Sequence, residues 1–355
     1  MKVAILGGGH GCYAAAADFT RRGHEVRMWR RQAAQRVAGY PIAMRDKQGE
    51  HQLAIALYTP DIGEAVREAE LIVVPTPAFA QEDIARQLAP HLRDGQVVFL
   101  PPGTFGSLVM WRALRQSGNQ AEVAFCETGT LPYLARKHGE QQVTITSYAT
   151  RLPTGVFPAR LAAHAFAVLC QGYPVEPAED ALSGALMNAG PIIHPPLILM
   201  NAGPLQHFPA WDIHNEGTQP AIRAVTDRLD EERIRIREKL GYQAPHFPLR
   251  DHYANDLWMY GDAHQRLVDS GDWRENIDLH THRYMTEDVH YGLAFLVSVA
   301  NWCGASAPIA SGLLAIAGAI GGQDLNLGPR TLSCLGLASM TPGELKQKLV
   351  TGEGL

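Results

Sequence analysis

Residues 181–211 contain no Asp, Glu, Lys or Arg, and within them stands Asn188-Ala-Gly-Pro-Ile-Ile-His194-Pro-Pro196, followed by Asn201-Ala-Gly203. An imidazole among apolar side chains, prolines and carboxamides is suited to proton chemistry. Desolvation lowers its pKa and a nearby carboxylate raises it, so it can act as acid or base near neutral pH. By residue type alone His194 also fits a satisfied core histidine. A second cluster, His280-Thr-His282-Arg283-Tyr284-Met-Thr-Glu287-Asp288, supplies complementary parts. Arg283 can offer a bidentate fork to a carboxylate. Asp288 can orient an imidazole and stabilise its charged form. The same Arg283 and Asp288 also fit an ion pair at a helix N-terminus, beside Thr286. His280, His282 and His290 lack a common helix face and a completing Cys or acid set, so no metal is expected.

A third cluster is Gly7-Gly8-Gly9-His10-Gly11-Cys12, directly after the strand pattern Val3-Ala-Ile-Leu6 and at the start of a helical pattern. It reads as G-x-G-x-x-G with Cys12 in the last place. Gly7 permits a tight turn, Gly9 lets backbone approach a pyrophosphate, and the helix N-terminus supplies N–H groups and partial positive charge. Gly11 and His10 complete the loop, His10 facing cofactor or solvent. The last position mainly sets helix–strand packing, which a small thiol tolerates. The second strand ends at Trp29-Arg30-Arg31. A ribose 2′-hydroxyl favours an acid there, whereas two guanidiniums suit a 2′-phosphate. NADP(H) is therefore the expected cofactor, with NAD(H) also accommodated. Thr76, Gly103 and Glu127 follow later strand patterns, as walls of the nucleotide site or as turn chemistry.

These residues need a scaffold. Apolar runs at 3–6, 25–29, 71–74, 97–100, 122–125 and 143–146 read as strands. Helical patterns lie at 12–22, 81–92 and 108–116. The alternation indicates βαβ units and a parallel sheet. Beyond about Pro158 helical periodicity dominates, as in 220–240, and Pro174 and Pro177 mark a linker. The expected fold is an α/β N-terminal Rossmann domain, a doubly wound parallel sheet over 1–176, plus an all-α C-terminal domain over 177–355. A second uncharged run, 289–323, is interrupted by Asn301, Pro308 and glycines, so a buried helix pair is expected there rather than a membrane span.

The 355 residues exceed one compact core. A net charge of −5 gives no electrostatic case for nucleic acid or an anionic membrane. The cysteines number five and are scattered, with no CxxC pair, so neither a zinc ribbon nor a disulfide framework is supported. The chain opens on a strand and a glycine loop without a basic stretch followed by an apolar one, so a signal peptide is not expected. A cytoplasmic enzyme is expected, with uncharged helices suited to a homodimer.

At this point the chain resembles the opine dehydrogenases of the octopine and nopaline type. GGGHGC, NAGPIIHPPLILMNAG, HRYMTEDVHYGL and the tail APIASGLLAIAGAIGGQDLNLGPRTLSCLGL carry the resemblance over nearly the whole length. Cys12 departs from the family's usual glycine. The resemblance implies an active site in a cleft between the two domains. It also implies NAD(P)H-dependent reductive condensation of an α-keto acid with the amino group of an amino acid. It gives His194 the catalytic histidine's role, Asp288 its partner carboxylate's and Arg283 the substrate-binding arginine's. Two other readings stay open. One is a carbonyl reductase of the ketopantoate or glycerol-3-phosphate type, against which stands the absence of lysine between Lys137 and Lys239. The other is a non-catalytic NADP(H)-binding sensor. Met187, Leu197, Phe208 and Trp211 suggest a mixed or apolar substrate lining.

Overall fold

The computed structural model describes residues 1–251 and 277–355. The chain divides into two compact units, one comprising Met1–Ala185 with Lys348–Leu355, the other lying between Leu186 and Gln347. The first unit is built on eleven strands: β1 Lys2–Leu6, β2 Glu25–Trp29, β3 Val37–Asp46, β4 Gly49–Thr59, β5 Leu71–Val73, β6 Val97–Leu100, β7 Ala124–Thr128, β8 Tyr133–Lys137, β9 Gln142–Tyr148, β10 Leu152–Phe157 and β11 Val175–Pro177. They form one sheet in the order β11-β10-β7-β6-β5-β1-β2-β4-β3-β9-β8. From β7 to β4 every neighbour pair is parallel. Val3, Ala4, Ile5, Leu71, Ile72, Val73, Val97 and Val98 are buried, as strands covered on both faces must be.

Strand order reverses at β1. The chain runs outward through β2 and β4 on one side and through β5 and β6 on the other. That reversal is the switch point where open parallel sheets leave a crevice at the carboxyl ends of their strands. The Gly7 loop leaves β1 there, and Pro75-Thr76 leaves β5. Helix α1, His10–Arg21, starts from the loop. The run Tyr13-Ala14-Ala15-Ala16-Ala17 is buried, and small side chains let that helix lie close.

The strand expected over 122–125 is displaced to β7, because Val123 precedes the ladder that Ala124 begins. The β3–β4 hairpin lies outside the expected strands. Its inward residues Tyr40, Ile42 and Met44 alternate with outward ones, but Gly39 and Pro41 mask the alternation. Pro177, expected in a linker, lies in β11, paired to Thr154.

The described part of the second unit is helical, as expected. Helix α2, Gly190–Met200, carries the histidine segment. Helix α3, Pro220–Lys239, begins on a proline whose missing N–H is an orphan at that position anyway. A π-helix spans Tyr284–Leu293 and runs into α4, Ala294–Cys303, which Gly304 ends in a left-handed conformation. Helix α5, Pro308–Gly321, follows. The Glu232 carboxylate accepts the N–H groups of Ile309 and Ala310 at 2.8 and 2.9 Å, placing an anion at the positive end of α5. The uncharged run 289–323 thus becomes the end of the π-helix, α4 and α5. Of the expected buried pair, α4 is mostly buried and α5 on one side only, with Ile316 52% exposed. No helix among the described residues is long and apolar enough to cross a membrane.

Candidate active site and nucleotide loop

His194 and Asp288 meet. Nδ1 of His194 lies 2.7 Å from Oδ2 of Asp288, with the imidazole 19% and the carboxylate 5% exposed. A carboxylate can only accept here, so Nδ1 carries the proton and Nε2 is the basic nitrogen. The Tyr284 ring stacks on the imidazole at 3.7 Å and 12°. Its hydroxyl lies 3.4 Å from Nε2 of His214.

The elements explain why these side chains converge. Pro195 and Pro196 sit inside α2 and take two N–H donors out of its ladder, loosening the turn that carries His194. The facing π-helix presents Tyr284, Asp288 and Gly292 in one row. Tyr284 and Asp288 hold His194. A Cβ on Gly190 would overlap Oδ1 of Asp288, and one on Gly292 would overlap the Pro191 ring. The Asn-Ala-Gly-Pro motif is therefore a close-approach device: glycine admits the carboxylate and proline fills the facing glycine. Asn201, from the second such motif, donates to the carbonyls of Leu197 and Gly217 and accepts from the Trp211 indole at 2.9 Å, pinning both ends of the 211–217 segment that carries His214.

Arg283 pairs with Glu287 at 2.9 Å rather than with Asp288, and its side chain is 45% exposed. Part of its guanidinium fork therefore faces solvent. Met187 and Leu197, expected in a substrate lining, are core residues, buried to 2% and 5% exposure. Phe208 stacks on Trp211 at 5.7 Å and is about half exposed.

In the first unit Gly7 takes φ +122°, and its N–H donates to the Trp29 carbonyl at 2.9 Å. A Cβ there would press on Cys12 and Thr76, and one on Gly11 would press on Leu131. Gly9 differs: it precedes α1 without any side-chain cap, and the space where its Cβ would stand is open. Oγ1 of Thr76 is buried with no hydrogen-bond partner. An open cradle, an uncapped helix N-terminus and an orphaned hydroxyl together fit a dinucleotide pyrophosphate. Cys12 fills the third-glycine place from within. Its thiol lies 3.6 Å from the Leu6 carbonyl, and burial pushes it up to about 12.

Glu127 and Gly103 have a structural employment. Glu127 is fully buried and accepts from the N–H groups of Phe105 and Ser107 at 2.6 and 3.3 Å and from the Ser107 hydroxyl. It thereby caps the helix Gly106–Gln116. Gly103 gives that carboxylate room, since a Cβ would overlap it.

Arg31 pairs with Asp83 and lies 5.9 Å over the Trp29 ring. Arg30 lies across Gly8, 3.0 Å from where a Cβ would be, and pairs with Glu140. Lys137 was not among the expected residues. Its N–H donates to Nδ1 of His10 at 2.8 Å, and its Nζ lies 3.5 Å from the Gly8 carbonyl. Burial, and then the Arg30 charge, hold its ammonium below the usual lysine range. Lys137 ends a strand more than a hundred residues from the glycine loop, so no spacing in the sequence links them. Among the described residues no cluster of three or more His, Cys, Asp or Glu could hold a metal ion.

Comparisons with known proteins agree with this anatomy. Residues 177–321 match the model for the NAD/NADP octopine/nopaline dehydrogenase alpha-helical domain. Residues 2–101 match that for the NAD-dependent glycerol-3-phosphate dehydrogenase N-terminus. An opine dehydrogenase of Arthrobacter sp. (strain 1C) is 26% identical over 350 residues, covering 97% of each chain. A vitopine synthase of Allorhizobium ampelinum is 27% identical over 383 residues, covering 96% of this chain and 97% of its own. Among solved structures, an octopine dehydrogenase in complex with NADH and agmatine superposes with a TM-score of 0.70 at 18% identity, covering 100% of this chain and 99% of its own. The glycerol-3-phosphate likeness stops within the nucleotide-binding part, while the opine likeness runs through both parts. The chain belongs to the octopine/nopaline family of opine dehydrogenases, NAD(P)-dependent oxidoreductases acting on CH–NH donors.

Proposed function

We propose that this chain reductively condenses an α-keto acid with the amino group of an amino acid, with His194 and Asp288 as the proton-handling pair and Arg283 as the carboxylate clamp. The observation that carries the reading is the 2.7 Å contact between His194 Nδ1 and Asp288 Oδ2, on a ring stacked against Tyr284. Such a pair fixes the tautomer, leaves Nε2 for the substrate and stabilises the imidazolium when it forms.

Amine addition to the keto carbon gives a carbinolamine. His194 Nε2 takes the proton that the incoming ammonium sheds as it adds, then gives that proton to the departing hydroxyl, which leaves as water, and an iminium remains. Arg283 offers its solvent-facing N–H groups to a substrate carboxylate and fixes which face of the iminium is presented. When bound, the reduced nicotinamide supplies the hydride that the iminium carbon accepts. Gly7, Gly9, His10, Gly11 and Cys12 shape the loop that would hold the pyrophosphate. Thr76 offers its unpartnered hydroxyl, and Arg30 with Arg31 would favour a 2′-phosphate, hence NADPH over NADH.

The reading assigns 1–176 to nucleotide binding and 177–355 to substrate binding, supported by a helical-domain match that begins at 177. It includes a homodimer, supported by the half-exposed Ile316 on an uncharged helix, and a cytoplasmic setting, supported by five cysteines without a disulfide.

The test is NADPH oxidation with pyruvate, glyoxylate and 2-oxoglutarate against each amino acid. Turnover should require both partners. His194→Ala should lower kcat by about 10²–10⁴, the range for lost acid–base catalysis. Near-wild-type turnover of that variant, or oxidation with a keto acid and no amine, would sink the reading.

A further inference from the structure

Glu140 stands where two cations and a phenol converge beside the glycine loop. One of its carboxylate oxygens accepts from Arg30 and from the Tyr13 hydroxyl, the latter at 3.3 Å. The other lies 3.3 Å from Nζ of Lys137. The Glu140 backbone carbonyl accepts from the Tyr40 hydroxyl at 2.9 Å. Arg30 is itself laid over Gly8, and Lys137 is laid 4.4 Å over the Tyr13 ring. The cations are thus partly desolvated and held by packing, with side chains 22% and 14% exposed. The carboxylate that joins them is 58% exposed, on the short connection between β8 and β9.

The two sides of this cluster differ in what they lose on separation. An exposed carboxylate regains water when it leaves, so holding it in place gains little. Two mostly buried cations held by packing stay in place and need an anion. A carboxylate brings one charge and two oxygens, whereas a phosphate monoester brings up to two charges and three oxygens. Arg30 also directly follows β2, the place where a Rossmann domain meets the adenosine ribose.

We propose that Arg30, Lys137 and Tyr13 form a subsite for the ribose 2′-phosphate of the cofactor, and that the Glu140 carboxylate holds this subsite until the phosphate displaces it. The inference rests on the NADP(H) preference proposed above and names the residues that would produce it. Glu140 then raises selectivity by exclusion: a 2′-hydroxyl carries no charge with which to displace it.

Calorimetric titration of adenosine 2′,5′-bisphosphate and of AMP isolates the 2′-phosphate, because the two ligands share everything else. In the wild-type protein the bisphosphate should bind more tightly. Lys137→Met should reduce that affinity ratio at least tenfold and Lys137→Arg should restore most of it, with unchanged melting temperatures as the folding control. Glu140→Gln should raise the ratio severalfold. Three results would overturn the subsite: an unchanged ratio in Lys137→Met, equal weakening of both ligands in that variant, or weakened AMP binding in Glu140→Gln. The last would make Glu140 an acceptor for the ribose hydroxyl. If wild-type kcat/KM favours NADPH while the variants leave the ratio unchanged, the preference stands and the subsite falls. If the wild type favours NADH and binds both adenosine ligands equally, both fall.

Discussion

Asp288 and Glu127 are both buried carboxylates, yet their surroundings give them different work. Asp288 spends one oxygen on a mostly buried imidazole, whereas Glu127 spends both on the backbone at a helix start. Glu127→Gln should therefore cost roughly 1.5–3 kcal/mol of stability, the range for hydrogen bonds to a charged group, while KM for NADPH stays within about twofold. A thermal melt and a KM measurement decide it, and a raised KM without a lowered melting temperature would return Glu127 to the nucleotide site. Residue types in the sequence marked His194, Asp288 and the glycine loop, because their chemistry is local to each motif. The division of labour between the two acids was not legible there, because a carboxylate's partners are chosen by the fold.

The π-helix and α2 act as one element pair. Its contact is set by two glycines that face a carboxylate and a proline, at Gly190 and Gly292. Gly292→Ala inserts a methyl group into the Pro191 ring, an overpacking that typically costs about 1–3 kcal/mol. It should also move Asp288 relative to His194, so kcat should fall tenfold or more with the melting temperature. A variant that keeps wild-type turnover would show that the pair tolerates separation. Amphipathic helices were readable from their period, and doubly buried strands from short apolar runs between helical patterns. The β3–β4 hairpin was not, since Pro41 sits opposite Ala54 in a pattern that reads as broken. Nor was the π-helix, whose extra residue per hydrogen bond leaves no compositional mark.

At the scale of the chain, the five cysteines report which parts are closed. Cys12 and Cys126 are buried, Cys170 and Cys334 exposed, and Cys303 between. Burial pushes both buried thiols up, so they stay protonated at neutral pH as well as shielded. Iodoacetamide on the native protein should label Cys170 and Cys334 first and spare Cys12 and Cys126 until unfolding, as read by mass spectrometry. Early labelling of Cys12 would mean that the glycine loop opens. The last residues, Lys348–Leu355, belong to the first unit although they follow the second in sequence; Gly352 packs on Trp111. Periodicity and the glycine loop were enough for the fold class and the cofactor class, because each rests on spacing within a short stretch, whereas the two histidine and arginine segments offered His194 and Asp288 only as separate candidates, whose meeting across 94 residues the fold decided. The Lys137–Glu140–Arg30 cluster, the helix-capping use of Glu127, the Arg283–Glu287 pairing and the return of the C-terminus came from the folded chain. Each depends on which of several compatible partners packing brings within hydrogen-bond reach.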